Sequence, residues 1–547
     1  MNRVERQAKQ RSGTDVSLFQ PASQNPILEG SPLAAPAALC ELLRVELAVK
    51  PNEDALLSGQ ERWSWAELEG AASNLASNFL SLGLKPGDRV ASLMPNRPAL
   101  IVHYVACLKA GLVSVPLNYR YTVSDIEHAL EVSGASLLVA HSERLAELDA
   151  SRVVHHLPHG IVIHEGGASR RQKLANLMMR RGALKSLPPV NPGDPAFIFF
   201  TSGSTGPAKG VTHSQESLGW MFASMAAAFE FGPDDIVLPG SSISHIGGFL
   251  FSLAALAAGA RVVVARSVED RDMLSLLREE KPTVLFMLPA TLFPLVRGKT
   301  AKRADFASLR VCSSGGDKVP AELQREFADL AGMPIDEVYG MTEIGIVTVS
   351  PPSGQIKQGS IGRAMHGVGL SIRDESGGAL PAGMPGRLWV RTGATMLGYW
   401  RDPVATSATI RDGWLDTGDL MEAGQDGYLQ FRGRRKQIIV HDGSNISPQE
   451  VEEALLQHPA IESAGVVGVP DLLHGESVLA FVTLKAHLPQ VDSGELIRFA
   501  RERIGYRAPA ELVILADMPV NPTGKIDRVA LKGLSQNRFA REPANCP

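Results

Sequence analysis

Ten residues, Thr201-Ser-Gly-Ser-Thr-Gly-Pro-Ala-Lys-Gly210, supply three glycines, four hydroxyls and one lysine. Glycines let backbone N–H groups approach phosphate oxygens, hydroxyls add donors, and a lysine adds a point charge. The segment follows Ala196-Phe-Ile-Phe-Phe200, an apolar run that reads as a buried strand. Thr201, Ser202, Gly203, Ser204, Thr205, Gly206 and Lys209 are therefore candidates for wrapping a polyphosphate. The pattern is not a Walker A loop, which would need glycine at Ala208 and a hydroxyl at Gly210. Taken alone, the composition also fits a flexible Gly/Ser loop.

Four further segments carry residues able to do chemistry. They are Tyr339-Gly-Met-Thr-Glu343, Trp414-Leu-Asp-Thr-Gly-Asp419, Gly433-Arg-Arg-Lys436 and Asn521-Pro-Thr-Gly-Lys-Ile-Asp527. Each has a plain alternative: a strand end with a helix cap for the first, and turns for Thr417-Gly-Asp419 and Pro522-Thr-Gly-Lys525. In this order and spacing, with the loop at Thr201, they resemble the adenylate-forming superfamily. Its members include acyl-CoA synthetases, firefly luciferase and peptide-synthetase adenylation domains. The resemblance runs from about Leu39 to Leu531. It takes in the softer matches Leu108-Lys-Ala-Gly-Leu-Val-Ser-Val-Pro-Leu-Asn118 and Met396-Leu-Gly-Tyr399.

The resemblance implies a two-step reaction. A carboxylate joins AMP as a mixed anhydride with release of pyrophosphate, and a thiol then displaces AMP. It assigns the β- and γ-phosphates of ATP to the Thr201 loop. Here proline stands one place earlier than in most relatives, as Pro207-Ala208. It assigns Mg²⁺ to Glu343 with Thr342, since a hard cation takes carboxylate and phosphate oxygens together. It places Tyr339 against adenine, Asp419 on both ribose hydroxyls and Arg434 at the ribose. The run Ser313-Ser-Gly-Gly-Asp317 resembles the adenine-edge loop, with Gly315 and Gly316 allowing close approach and Asp317 as a departure, read as facing the adenine amino group. Lys525 becomes the adenylation lysine, neutralising charge that builds between carboxylate and α-phosphate. Lys436 falls at the hinge about which a second domain rotates between half-reactions. Gly443, Ser444 and Asn445 border the CoA tunnel, where His441 and Asp442 depart from the pattern of CoA ligases.

The acid is read from weaker signals. His245, Gly247, Phe249 and Gly340 are the candidate pocket residues. The segment Leu238–Phe249 lacks the aspartate that amino-acid-activating relatives use for the substrate amine. With Phe222, Phe251, Leu253 and Met287 nearby in the pattern, the resemblance implies a fatty or aromatic acid without an amino group. Little chain follows Lys525, so the acceptor is expected to work in trans: CoA first, a separate carrier protein as the alternative. A nucleotide-binding relative without catalysis would be expected to lack Glu343, Asp419 or Lys525, and all three are present.

These residues need a scaffold to converge. Short apolar runs such as Arg89–Leu93, Ser136–Ala140, Val284–Leu288 and Leu309–Ser313 alternate with helical patterns over the first 350 residues, which predicts α/β layers with mixed or parallel sheets. From 355 to 432, strands with turn signals predict a small β subdomain, and from 433 to 547 a mobile α+β domain. Residues 1–30 read as a disordered leader, 31–432 as the large domain, and 166–194 as a surface excursion. A chain of 547 residues can hold several such domains. The net charge of −4, with basic residues spread evenly, argues against a nucleic-acid partner. Four scattered cysteines and no apolar leader fit a cytoplasmic protein. The apolar stretch 247–265 is broken by Gly259 and Arg261, so it reads as helix then strand and not as a membrane span. Oligomeric state is not legible.

Overall fold

In the computed structural model the described residues are 27–34, 36, 38–166, 172–182, 184, 186–201, 208–298, 300–350, 354–434, 437–441, 444–471, 475–485, 491–522 and 524–539. Four sheets organise them. The eight-stranded sheet is centred on Pro195–Thr201, Val113–Pro116, Arg89–Leu93 and Leu137–His141. The nine-stranded sheet carries Asp336–Met341, Val311–Gly315, Val284–Met287, Ile236–Gly240, Arg261–Val263 and Asp54–Ser58 as parallel neighbours. Their central strands, such as Val284–Met287 and Leu137–His141, are buried along their whole length because both faces are covered, as parallel strands require.

One continuous core joins a face of each of these sheets to a six-stranded antiparallel layer. Four helices fill it: Trp65–Ser81, Pro98–Ala110, Gln215–Phe229 and Ile246–Ala257. Pro98–Ala110 is buried on nearly every side, which is why its sequence shows no polar stripe. Proline at its first position and Gly111 beyond its end, in the left-handed region at φ 65°, set its limits. The opposite sheet faces bury separate clusters around Phe306 and Phe327, and around Ile126 and Leu138. A five-stranded sheet with its own core, including Val451, Val466 and Leu496, forms the C-terminal unit. The α/β class is as expected, with layered mixed sheets, a β layer and a small α+β unit.

Several expectations change. Leu28 and Glu29 are not leader but an edge strand, paired with Leu370 and Gly369 of the β layer. The segment after Gly166 is not merely a surface excursion. Gln172–Lys173 adds a strand to the large sheet, and helix Leu174–Met179 buries Leu174, Leu177 and Met178. Strand Leu429–Arg434 runs through the boundary at 433 and pairs with Trp414–Ala423. Tyr339–Glu343 does not cap a helix. It turns a β-hairpin in which Met341 faces Gly345.

Candidate functional site

The strands that carry site residues lead into them at their carboxyl ends. Pro195–Thr201 leads into the glycine loop, Val311–Gly315 into Gly316 and Asp317, and Asp336–Met341 into Thr342 and Glu343. Ile236–Gly240 leads toward His245, the residue before helix Ile246–Ala257. In open α/β sheets, ligands collect at such carboxyl ends. The glycines are there for space. A Cβ on Gly315 would sit 2.6 Å from the Val338 carbonyl oxygen, and one on Gly340 2.3 Å from the Gly345 oxygen. Gly316 lies at φ +84°, where side chains are strained.

Asp419 is the electrostatic centre. Tyr339 Oη donates to its Oδ2 at 2.7 Å, and Arg434 Nε lies 3.2 Å from Oδ1. Its strand is bulged: Arg387 pairs with Leu420 but Trp389 with Asp416. The extra residues include Gly418 at φ +71°. Asp419 N–H bonds Thr417 Oγ1 at 3.1 Å, and Thr417 Oγ1 donates to the Leu388 carbonyl at 2.9 Å. The bulge re-aims the aspartate inward. Burial pushes the Asp419 carboxyl up from the ordinary range, while Arg434 and the Tyr339 hydroxyl pull it back down. Tyr339 is 9% exposed, and its hydroxyl serves Asp419.

Glu343 is 7% exposed and accepts a hydrogen bond from Tyr399 Oη at 2.8 Å. Burial raises its carboxyl, and the Tyr399 bond opposes that. Its backbone is pinned by Met396 N–H at 2.8 Å, and the neighbouring Thr342 carbonyl lies 2.7 Å from Nε2 of the buried His213. Lys209 Nζ sits 5.0 Å over the Tyr399 ring and 3.6 Å from Asp402 Oδ2. A buried carboxylate held by a neutral hydroxyl, with a half-buried threonine beside it, fits a divalent cation.

Lys525 reaches this site from the C-terminal unit. Its loop is closed by Asn521 N–H to the Lys525 carbonyl at 2.7 Å and Lys525 N–H to Asn521 Oδ1 at 3.1 Å. Asn118 Nδ2 donates to the Pro522 carbonyl at 2.9 Å, linking that loop to the large domain. Burial pushes the ammonium below its usual range, and Asp317 and Asp419 pull it up against Arg434 and Arg528. Among the described residues no carboxylate lies within 4.0 Å of Lys525 Nζ. This cation between the domains is thus short of an anion. His245, half-buried opposite, is held near a pKa of about 4 by burial and by the Lys525 charge.

Asp317 is exposed, and its Oδ1 takes its own neighbour's N–H from Lys318 at 2.9 Å. Its field acts on Lys525 and Arg434. Phe249 is a correction. It is fully buried, with its ring 5.1 Å from Phe199 and 5.7 Å from Tyr104, because helix Ile246–Ala257 turns it into the core. Phe222, Phe251, Leu253 and Met287 are core residues as well. Gly247 is only partly buried, and a Cβ there would stand 3.2 Å from the core ring of Phe286. Ser202, Gly203, Ser204, Thr205, Gly206, Lys436 and Gly443, with the side chains of Ser444 and Asn445, lie outside the described residues.

Residues without an assigned role turn out to hold the site. Tyr399 and Asn118 sat at the ends of the two softer matches, which was the signal available. A buried pair behind the Lys525 loop, Arg528 and Glu452 at 2.6 Å, gave no signal, since neither residue type is unusual on a helix.

The chain matches the AMP-binding enzyme family over residues 43–400 and the AMP-binding enzyme C-terminal domain over 450–525. It is 32% identical to a feruloyl-CoA synthase from an Amycolatopsis species, over 90% of this chain and 97% of that one. It is 31% identical to an indoleacetate–CoA ligase of Aromatoleum aromaticum, over 89% and 96%. Its structure is similar to ATP-bound MatB from Rhodopseudomonas palustris, with a TM-score of 0.85, 26% identity, and 92% and 100% of the two chains covered.

Proposed function

The chain belongs to the AMP-binding enzyme family, and from that premise we propose that it converts a fatty or aromatic carboxylic acid to an acyl-adenylate and then to its CoA thioester. It is an AMP-forming acid–CoA ligase of the acyl-CoA synthetase kind. The observation that carries the mechanism is Lys525, a cation between two domains that feels Asp317 and Asp419 but has no carboxylate within 4.0 Å among the described residues. An α-phosphate and a substrate carboxylate supply the missing anions. As the carboxylate oxygen attacks phosphorus and pyrophosphate leaves, negative charge builds there, and a preorganised cation stabilises it.

The other residues hold the reactants. Asp419 accepts from the ribose hydroxyls, with Tyr339 and Arg434 fixing its two oxygens. Gly315 and Gly316 let the base lie against backbone, and Asp317 stands beside it. Thr201 to Gly206 and Lys209 hold the leaving phosphates. Glu343 with Thr342 holds Mg²⁺, which neutralises phosphate charge when bound. His245, kept neutral, borders the acid with Gly247 and Gly340, and no aspartate there suits an amine. Both relatives named above act, by their names, on aryl acids, so aryl acids lead the substrate panel. After adenylation the C-terminal unit rotates at Lys436, withdraws Lys525 and presents the segment Gly443, Ser444 and Asn445 to CoA. The protein works in the cytoplasm.

The test is pyrophosphate release over fatty, aryl and amino acids, with CoA, with a phosphopantetheinylated carrier protein, or with neither. Turnover on an aryl or fatty acid that needs CoA is expected. Release that depends on an amino acid overturns the substrate reading, and thioester formed only on the carrier protein overturns the acceptor.

A further inference from the structure

Asn118 follows strand Val113–Pro116 and is 5% exposed. Every group of its side-chain amide in reach of a partner is used. Oδ1 accepts the Arg120 N–H at 2.9 Å, and Nδ2 donates to the Pro522 carbonyl at 2.9 Å and lies 3.1 Å from His245 Nε2. The two backbone partners fix which end of the amide is which. A carbonyl at Pro522 requires an N–H opposite it, and an N–H at Arg120 requires an oxygen. The atom beside His245 is then a donor, so Nε2 carries the lone pair and the proton of the neutral ring sits on Nδ1. The loop that offers Pro522 is the loop that carries Lys525, and it is braced from Asn521 to Lys525 across a short turn.

We propose that Asn118 is a positioning residue that ties the orientation and tautomer of His245 to docking of the Lys525 loop. One buried amide thereby reports to the acid pocket that the adenylation lysine is in place. When the loop leaves, Asn118 loses the carbonyl that held its nitrogen, and His245 loses its fixed donor. The coupling rests on the reading of Lys525 given above.

Asn118→Asp tests it, because the remaining oxygen still accepts from Arg120 N–H while both donated bonds are lost. The two lost buried hydrogen bonds, with their acceptors orphaned, correspond to a fall of at least about tenfold in adenylation, followed by pyrophosphate exchange. Thioester formation from supplied acyl-AMP, which uses the rotated domain, stays at the wild-type rate. Asn118→Ala must give the same split, which guards against an ion pair between the new carboxylate and Lys525. In a double-mutant cycle, Asn118→Ala and His245→Ala lose less together than the product of their separate losses. Equal loss of both half-reactions, no loss in either, or independent effects with His245 each overturn the coupling. Lys525→Ala is run alongside. If it spares adenylation, the lysine reading falls and the coupling with it. If it abolishes adenylation while Asn118→Asp does not, the coupling alone falls.

Discussion

Replacing Lys525 by alanine separates chemistry from stability in one variant. The lysine is a cation that the second domain offers the site, and its ammonium has no carboxylate within 4.0 Å among the described residues. Burial already disfavours its charge, since its pKa is pushed down. Removing it therefore breaks no ion pair and relieves a partly desolvated cation. The folded state should lose little, within about 0.5 kcal/mol as for substitutions that break no named interaction. The reaction loses a preorganised positive charge at the point where negative charge develops. That costs roughly 3–4 kcal/mol, or about 10²–10³ in rate. Adenylation is read by isotope exchange between pyrophosphate and ATP, and thioester formation by CoA consumption from supplied acyl-AMP. A thermal melt accompanies both. Exchange should fall by that factor, thioester formation should persist, and the melting temperature should stay within about 2 °C. Parallel loss of both half-reactions, or a large fall in melting temperature, refutes the reasoning.

Asp419→Asn keeps the shape but gives up the charge that Arg434 faces at 3.2 Å. The loss of a charge-assisted bond, about 1.5–3 kcal/mol, should raise the KM for ATP and abolish discrimination between ATP and 2′-deoxy-ATP. Unchanged discrimination would remove Asp419 from the ribose. His213 is wholly buried, with burial lowering its pKa to about 4 against the opposing pull of the Thr342 carbonyl. Its folded pKa lies below its unfolded value of 6.5, so its contribution to stability is complete above pH 6.5 and drains away as pH falls toward 4. His213→Gln should flatten the acid limb of the melting-temperature curve over that window, and identical limbs would count against it.

Much of this was legible in the residues. The loop at Thr201, Glu343, Asp419 and Lys525 are polar types in places where an apolar run has just ended, and that contrast survives in a single sequence. The strands behind them were legible for the same reason: buried on both faces, they read as unbroken apolar runs such as Ala196–Phe200. What failed was direction. Nothing in the string shows that Phe249 turns into the core, because helix rotation is set by packing against Tyr104 and Phe199. Nor could pairings between residues far apart in the chain be read. Asn118 with Pro522, and Tyr339 with Asp419, are ordinary residues until the fold brings them together.

The edge strand Leu28–Glu29 has a consequence for synthesis on the ribosome. Its partner, Val368–Arg373, lies about 340 residues later in the chain. At roughly 5–20 residues per second, the strand waits some 17–70 s before anything exists for it to pair with. This edge of the β layer therefore cannot pair before Leu370 has been made. The seam joins the first described strand of the chain to a stretch well past its middle, and the nascent protein leaves that strand unpaired until then.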